Sequence, residues 1–253
     1  MKAMIFAAGL GTRLKPFTDT QPKALVDVGG HPMIKIILLR MKEAGIREII
    51  INVHHFADKL IDYILKNNAF GLHIEFSDES NQLLDTGGGL MKAAWFFDDG
   101  QPFLLHNVDV LSNIDFNQLW QYHMQSQSLA TLAVSERKTS RYLLFNDQMR
   151  LAGWENLQTG KQILLDSKMP ATRQLAFSGI HMIEPALLKL IQEEGRFSLI
   201  DTYLKLGDTH EIAGYFHDAS GWIDMGKPLD LITGTERLNS EMFTGLKMLL
   251  ESE

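Results

Sequence analysis

The chain has 253 residues, of which 45% are hydrophobic and 22% charged, so it can bury the core of one large α/β domain or two small ones. Its formal net charge of −7 argues against a general nucleic-acid or anionic-membrane partner, because both would require a basic surface. It contains no cysteine, which excludes disulfides and thiolate zinc sites and is compatible with a reducing cytoplasm, the location we expect.

The most informative segment is an apolar stretch at residues 3–8 that leads directly into a loop reading Gly-Leu-Gly-Thr-Arg at residues 9–13. The stretch predicts a first strand; it also imitates a very short signal peptide, but it lies at the lower limit for a secretory core. Glycines let the loop backbone approach a ligand closely, and Arg13 and Lys23 add fixed positive charge. This combination is typical of a polyphosphate site, and an ordinary tight turn is the alternative for the glycine pair alone.

This loop differs from the two commonest phosphate-binding loops. A Walker A loop requires a lysine directly after the second glycine of its pattern, and no lysine here stands in that frame. A dinucleotide fingerprint requires a third glycine where this chain has Leu14, and the neighbouring Arg13 would crowd a pyrophosphate there. We therefore expect a nucleotide-binding loop of another kind.

Signals for strands and helices alternate along the first half of the chain. Strands are predicted at residues 3–8, 48–53, 72–76 and 103–105, and helices at residues 32–45, 57–65 and 87–97. Strands with nearly continuous apolar residues that alternate with helices indicate a parallel sheet covered on both faces.

The second half carries more strand signals. Strands are predicted at residues 129–134, 142–145, 151–154, 175–182 and 211–216, the last running on to residues 221–224, and helices at residues 185–191, 197–206, 227–238 and 240–250. No linker or repeat interrupts the chain, and no stretch approaches the roughly 20 apolar residues of a membrane span. We therefore predict an α/β fold: a single Rossmann-like, doubly wound domain with a central, mostly parallel mixed sheet and a small β-rich lobe on the substrate side.

Two aspartates stand at the ends of apolar stretches. Asp109 follows the strand at residues 103–105, and Asp224 ends the run at residues 221–224. Ligands bind at the carboxyl edge of open α/β sheets, and two carboxylates at one edge suit Mg²⁺ together with water and substrate phosphates. For each aspartate alone, a helix N-cap or turn former is an equal alternative.

Three consecutive glycines at residues 87–89 form a second glycine cluster. Glycine is costly to order, so such a run usually serves a close approach of the backbone to another group. Its predicted position between a strand and a helix favours contact with a base or a ribose, and a flexible connector is the alternative.

These residues together resemble the sugar-1-phosphate nucleotidyltransferases, a family with a GT-A-like fold. The resemblance covers essentially the whole chain, and within the family the pattern is most similar to N-acetylmuramate-1-phosphate uridylyltransferases and their relatives. The matching residues are the loop at 9–13, Pro16, Thr18, Pro22 and Lys23, followed by Leu-Asp-Thr-Gly-Gly-Gly-Leu at 84–90, Asn-x-Asp at 107–109, Ser-Gly-Ile at 178–180 and Trp-Ile-Asp-x-Gly at 222–226.

The resemblance implies an enzyme of the EC 2.7.7 type, in which the phosphate of a sugar 1-phosphate attacks the α-phosphorus of a nucleoside triphosphate and pyrophosphate leaves. UTP and N-acetylmuramate 1-phosphate are the best-matching pair. Arg13 would neutralise the departing β,γ-phosphates, and Lys23 would bring the two anionic reactants together at the α-phosphate. Asp109 and Asp224 would hold the cofactor Mg²⁺.

The resemblance also implies two sets of binding residues. The nucleotide would contact Ala7, Ala8, Gly9, Leu10, Gly11, Thr12, Arg13, Lys23, Gly87 and Gly88, and the sugar would contact Asn107, Glu155 and Gly179. The single domain at residues 1–253 would comprise a nucleotide-binding half at about 1–110, a sugar-binding half at about 111–235 and a C-terminal helix at 236–253. The partners would be these two small molecules, with no nucleic acid and no membrane.

The chain departs from the family at two places. Val108 stands where the family usually has glycine, and valine adopts a positive φ only at a cost, so the strand end either differs slightly or never needed that conformation. The Glu-Lys-Pro stretch of the thymidylyl- and glucose-type enzymes is absent, and Trp-Glu-Asn at residues 154–156 is the nearest candidate.

Two alternatives stay open. Within the same chemistry, the chain could be a guanylyl-, thymidylyl- or cytidylyltransferase for another sugar phosphate or for phosphocholine. From another class, it could be a non-catalytic regulatory subunit that binds nucleotide-sugars, which the four intact charged residues (Arg13, Lys23, Asp109 and Asp224) disfavour.

Overall fold

A mixed β-sheet with helices on both faces forms the centre of the protein. The structure is a computed structural model, and it describes residues 1–165, 170 and 172–252. The strands are β1 (Lys2–Phe6), β2 (Asp27–Val28), β3 (His31–Pro32), β4 (Glu48–Val53), β5 (His73–Asp78), β6 (Phe103–Asn107), β7 (Val110–Ser112), β8 (Ala130–Ser135), β9 (Arg141–Phe145), β10 (Leu151–Asn156), β11 (Lys161–Leu164), β12 (Arg173–Ile183), β13 (Ile212–Phe216) and β14 (Trp222–Asp224). The helices are α1 (Met33–Glu43), α2 (Ala57–Lys66), α3 (Asp85–Lys92), α4 (Phe116–Ser126), α5 (Ala186–Leu190), α6 (Leu199–Leu206), α7 (Pro228–Leu238) and α8 (Thr244–Ser252). None of the helices in these described ranges is long and apolar enough to cross a membrane.

The main sheet joins a parallel part to an antiparallel part. Its order is β11-β10-β9-β12-β6-β1-β4-β5, with β8 paired to β12 and β13 paired to β8. The strands β6, β1, β4 and β5 run parallel, whereas β12 lies antiparallel to β6 and also pairs with β9 of the β9–β11 lobe. This arrangement confirms the predicted α/β fold with a mixed central sheet and a small β-rich lobe.

Alternate residues of β1 belong to two different cores, one on each face of the sheet. Ala3 and Ile5 pack in the core that also contains α1, α2 and α7, whereas Met4 packs in the core that contains α3 and α6. All three side chains are fully buried. Because a strand covered on both faces must be apolar at every position, the central strands lack polar alternation.

The register of the central strands places three residues at one edge of the sheet. Phe6, the last residue of β1, is aligned with Asn52 on β4 and with Asn107 on β6. The carboxyl ends of these parallel strands therefore meet, and the glycine loop after β1 lies beside the segment that follows β6.

A short antiparallel ribbon brings a distant part of the chain to the same edge. In it, β14 pairs with β7, with Asp224 aligned to Val110, and the amide of Met225 donates a 2.8 Å hydrogen bond to the carbonyl of Asp109. This ribbon makes Asp224 a neighbour of Asp109, although the two are 115 positions apart in the chain.

Some elements were not predicted from the sequence. Helix α4 buries only Phe116, Leu119 and His123, so its apolar periodicity is weak, and β7 and β11 are short. The helix predicted to start on the glycine cluster begins two residues earlier, so the cluster lies inside α3 and not between a strand and a helix. The last predicted helix at residues 240–250 begins as a 3₁₀ turn and continues as α8.

Candidate active site

The two glycines of the loop after β1 have different structural roles. Gly11 has φ +63°, and a Cβ there would lie 2.8 Å from Cγ2 of Thr18. The Thr18 hydroxyl donates a 2.9 Å hydrogen bond to the Gly11 carbonyl, which closes the loop. A Cβ at Gly9 would have no protein atom within 4 Å, yet Gly9 lines a cavity. Gly11 is therefore required by the loop itself, whereas Gly9 leaves space at the cavity wall.

A buried polar pair supports the start of this loop. The Asn52 side-chain carbonyl accepts hydrogen bonds from the amides of Ala7 and Ala8, at 2.7 and 3.3 Å. Its amide nitrogen donates to the fully buried carboxylate of Glu79, at 2.7 Å. The amides of Ala7 and Ala8 are thus bound within the protein, and Ala8 contributes surface to the cavity. No local pattern marks this pair, because Asn52 lies on β4 and Glu79 directly follows β5.

Four charged side chains converge beside the loop. Lys23 Nζ binds Oδ2 of Asp109, and both side chains are largely buried. Burial, and then the negative charge of Asp109, raise the pKa of Asp224 above its ordinary value, while the charges of Lys23 and Arg13 oppose this shift. A Cβ at Gly226 would lie 2.8 Å from Nη2 of Arg13 and 2.7 Å from Oδ1 of Asp224.

The two carboxylates form a donor set that suits a divalent cation. The charge of Asp109 disfavours ionisation of Asp224, and a bound cation would offset this effect. Among the described residues, no group of three or more His, Cys, Asp or Glu side chains could hold a metal alone. A pair of carboxylates fits Mg²⁺, which completes its octahedral shell with water and substrate phosphates.

Two neighbouring cavities lie near this charged cluster, and its members Lys23 and Asp109 line the first of them. The first, of about 280 Å³ and here called the loop cavity, is lined by Phe6, Ala8, Gly9, Lys23, Asn52, Glu79, Leu83, Asp85, Thr86, Asn107, Val108, Asp109 and Arg196. The second, of about 450 Å³ and here called the lobe cavity, is lined by Asp85, Arg137, Thr139, Arg141, Leu143, Trp154, Phe177, Ser198, Ile200 and Asp201. Asp85 lines both, so the two cavities are neighbours. Their size is that of small-molecule sites.

The predicted sugar-binding residues fall into two groups. Gly179 has φ +75°, and a Cβ there would lie 2.8 Å from Nδ2 of Asn107, so these two residues are in contact. Glu155 lies apart from them on β10 and lines neither cavity, whereas the adjacent Trp154 lines the lobe cavity. Successive residues of a strand face opposite sides, which explains why only one of them reaches the cavity. Val108 keeps a negative φ, so this strand end does not need glycine.

The glycines at 87 and 88 pack against protein and are absent from the lining of both cavities. A Cβ at Gly87 would overlap the ring of Phe197, and one at Gly88 would overlap the carbonyl oxygen of Gly195. The flanking residues Asp85 and Thr86 line the loop cavity instead. These glycines therefore allow α3 to pack closely against the segment before α6.

The remaining loop positions lie at the surface. The side chains of Leu10, Thr12 and Arg13 are exposed, and Thr12 begins a 3₁₀ turn.

The structure also adds residues that the sequence did not indicate, namely Arg196 at the loop cavity and Arg137 at the lobe cavity. Both lie in segments between regular elements, where no periodic pattern marks them.

Comparison with known proteins places the chain among related sequences and folds. N-acetylmuramate alpha-1-phosphate uridylyltransferase of Neisseria meningitidis is 46% identical over 121 residues, which are 48% of this chain and 52% of that protein. Mannose-1-phosphate guanyltransferase of Yarrowia lipolytica is 26% identical over 238 residues, which are 93% of this chain and 63% of that protein. The chain thus spans between half and two thirds of the length of these curated relatives.

Fold and family comparisons agree. HddC from Yersinia pseudotuberculosis has the same fold, with a TM-score of 0.77 at 22% sequence identity over 94% of this chain and 99% of that one. A family model described as nucleotidyl transferase matches residues 2–241, which include the glycine loop, both aspartates and both cavities. The chain therefore belongs to the nucleotidyl transferase family.

Proposed function

We propose that this chain is an Mg²⁺-dependent sugar-1-phosphate nucleotidyltransferase, which joins a nucleoside triphosphate and a sugar 1-phosphate into a nucleotide-sugar and pyrophosphate. The observation that carries the proposal is the convergence of Arg13, Lys23, Asp109 and Asp224 beside the glycine loop. Both reactants are anions that repel each other, so cations at their meeting point lower the barrier. Family membership supports this class of reaction.

The chain's own residues would act by positioning and by charge. The loop at residues 9–13 would hold the triphosphate with its amides, and Arg13 would balance the charge of the leaving pyrophosphate. Lys23 would lie at the α-phosphate, between the reactants. No covalent enzyme intermediate is required, because alignment and charge neutralisation supply the rate enhancement.

Polar contacts within the protein hold both aspartates in place. The amide of Gly226 donates a 2.8 Å hydrogen bond to Oδ1 of Asp224, which fixes that carboxylate. Asp109 is fixed by Lys23. Bound Mg²⁺ would supply positive charge to the phosphate oxygens of both substrates.

For the substrates, we propose UTP and N-acetylmuramate 1-phosphate. The similarity to the uridylyltransferase of Neisseria meningitidis over 48% of this chain supports this pair. The similarity to a mannose-1-phosphate guanyltransferase over 93% of this chain favours GTP and mannose 1-phosphate as a second candidate pair. We propose that the protein acts in the cytoplasm, where such substrates are available.

A pyrophosphate-release assay over a matrix of nucleoside triphosphates and sugar 1-phosphates tests the proposal. We expect turnover with UTP and N-acetylmuramate 1-phosphate in the presence of Mg²⁺, and none in the Asp109→Asn variant. Preferential turnover of another pair would replace the substrates and keep the reaction class. Stabilisation by nucleotide-sugars without any turnover would instead support the non-catalytic subunit.

A further inference from the structure

Arg137 is held in a fixed position between the lobe cavity and the ribbon that carries Asp224. It lies in the segment between β8 and β9, and its guanidinium carbon is 4.0 Å from the centre of the Trp222 ring. Its Nη2 donates a 2.5 Å hydrogen bond to the carbonyl of Phe177. Trp222 is itself anchored, because its indole nitrogen donates a 2.8 Å hydrogen bond to the carbonyl of Ser178. The guanidinium is therefore ordered before any ligand binds.

The position of Trp222 shows that Arg137 lies near the carboxylate pair. Trp222 and Asp224 lie two residues apart on β14, so their side chains point to the same face of that strand. Two residues of a strand span about 7 Å. A guanidinium stacked on Trp222 therefore lies within reach of a phosphate group bound at Asp224.

Arg137 carries a positive charge that nothing in the described part of the chain neutralises by direct contact. No carboxylate there lies within 4.0 Å of its nitrogen atoms, and its buried Nε has no hydrogen-bond partner. Burial lowers the pKa of Arg137, and the charge of Asp224 opposes this shift. A partly buried cation without a counterion is costly, and a bound anion would remove that cost.

Other cations are less suited to this place. Lys23 is bound to Asp109, and Arg13 lies at Gly226. Arg141 lines the same lobe cavity but is exposed.

We propose that Arg137 binds the phosphate of the sugar 1-phosphate, with the sugar in the lobe cavity. This inference rests on the proposed function and adds a residue for the acceptor substrate. Its ordered guanidinium would hold two phosphate oxygens while the third faces the nucleotide. Recognition of the acceptor phosphate would then come from the β8–β9 segment.

Steady-state kinetics of the Arg137→Ala and Arg137→Lys variants test the inference. We expect the alanine variant to raise KM for the sugar 1-phosphate about 10- to 100-fold, because a charge-assisted hydrogen bond is lost, with KM for the nucleotide changed less than about threefold. The lysine variant keeps the charge but not the paired donors, so we expect an intermediate KM. Lys138→Ala, which removes an exposed charge from the adjacent position, should match the wild type.

Inhibition by the free sugar, which lacks the phosphate, shows whether Arg137 contacts the phosphate or the sugar. If Arg137 binds the phosphate, the inhibition constant of the free sugar stays the same in the variants. A parallel increase in that constant would show that Arg137 contacts the sugar itself and would overturn the inference.

The outcomes for the inference and for the function are distinct. An unchanged KM for the sugar 1-phosphate in an active Arg137→Ala variant would overturn the inference alone. An equal increase in KM for the sugar 1-phosphate and for the nucleotide would do the same. If the alanine variant does not fold, the lysine variant gives the same readout. Absence of turnover by the wild-type protein with every substrate pair would overturn the proposed function and this inference with it.

Discussion

Gly9 and Gly11 are two residues apart in one loop, yet different constraints act on them. The positive φ of Gly11 and its contact with Thr18 would strain any side chain, whereas the space beside Gly9 is open to the loop cavity. A glycine that the fold does not require, but that faces a cavity, indicates that the free space itself is used.

Alanine substitutions at these two positions should therefore affect different properties, stability at Gly11 and nucleotide binding at Gly9. We expect Gly11→Ala to lower the free energy of unfolding by about 1–3 kcal/mol, because alanine must adopt a left-handed conformation. Gly9→Ala should change that free energy by less than about 0.5 kcal/mol and raise KM for the nucleotide about tenfold. Urea denaturation and initial-rate kinetics measure the two effects. A folded Gly9→Ala protein with a normal KM for the nucleotide would show that Gly9 does not contribute to the nucleotide site.

Lys23 should act mainly when the reactants meet. We expect Lys23→Ala to lower kcat by about 10²- to 10³-fold and to change nucleotide affinity much less, because the like charges of the phosphates are closest in the transition state. Pre-steady-state binding and turnover measurements give the two quantities. Lys15→Ala, which removes an exposed lysine of the same loop, is the control. A near-normal kcat in the Lys23 variant would contradict a catalytic role.

At the scale of elements, the β7–β14 ribbon determines whether a carboxylate pair exists at all. It aligns Asp224 with Val110 and places the carboxylate near Asp109 in a partly buried position. Helices and parallel strands supply the sheet edge, but this ribbon of two three-residue strands supplies the second carboxylate. The proposed function thus depends on an element with little stability of its own.

The ionised Asp224 should destabilise the protein when no metal is bound. Its pKa in the folded state is raised above the ordinary value of 3.8, so stability falls as the pH rises through and above that value. We expect Asp224→Asn to raise Tm at pH 7 in the presence of a chelator, and to leave Tm unchanged near pH 3. In kinetics, the same variant should require about 10- to 100-fold more Mg²⁺ for half-maximal activity. An unchanged Mg²⁺ requirement in this variant would show that Asp224 has only a structural role.

At the scale of the whole molecule, buried histidines couple stability to pH. His106 on β6 and His181 on β12 are almost completely buried on adjacent strands. Burial, and then the positive charge of Arg40, lower the pKa of His106 to about 3, although Asp109 and a hydrogen bond to the Asn107 carbonyl oppose the shift. Burial and the neighbouring His106 lower the pKa of His181 to about 3, with its Nδ1 bonded to the Tyr203 hydroxyl at 2.7 Å. Both rings are therefore neutral in the folded protein.

These depressed pKa values predict loss of stability in mild acid. In the unfolded chain both histidines bind a proton below about pH 6.5, whereas the folded protein resists protonation down to about pH 3. Stability is thus fully present above pH 6.5, and at pH 5.5 each histidine should cost about 1 kcal/mol. Urea denaturation at pH 7 and 5.5 measures the effect, with the exposed His73→Gln variant as a control that keeps the pH dependence. Equal stability at both pH values would show that the two rings are protonated without cost.

Local patterns predicted much of the fold and supplied the first residues of the candidate site. The alternation of apolar strands and helices predicted the α/β fold, and the glycine loop with Arg13 and Lys23 marked the phosphate-type segment. Helix α4 was not predicted, because it buries few apolar residues and therefore shows only weak helical periodicity. The contact of Gly88 with the carbonyl of Gly195 could not be predicted, because a glycine run looks the same whether a ligand or a peptide group approaches it.

The alternation of elements and the loop after β1 can be read from the sequence, since both depend on residues a few positions apart. That Asp224 meets Asp109, that Asn52 and Glu79 support the loop, and that Arg137 lines the lobe cavity follow from tertiary contacts alone. The difference lies in the range of the interactions. Periodicity and turn preferences act over a few residues, whereas strand pairing and burial join segments that are far apart in the chain.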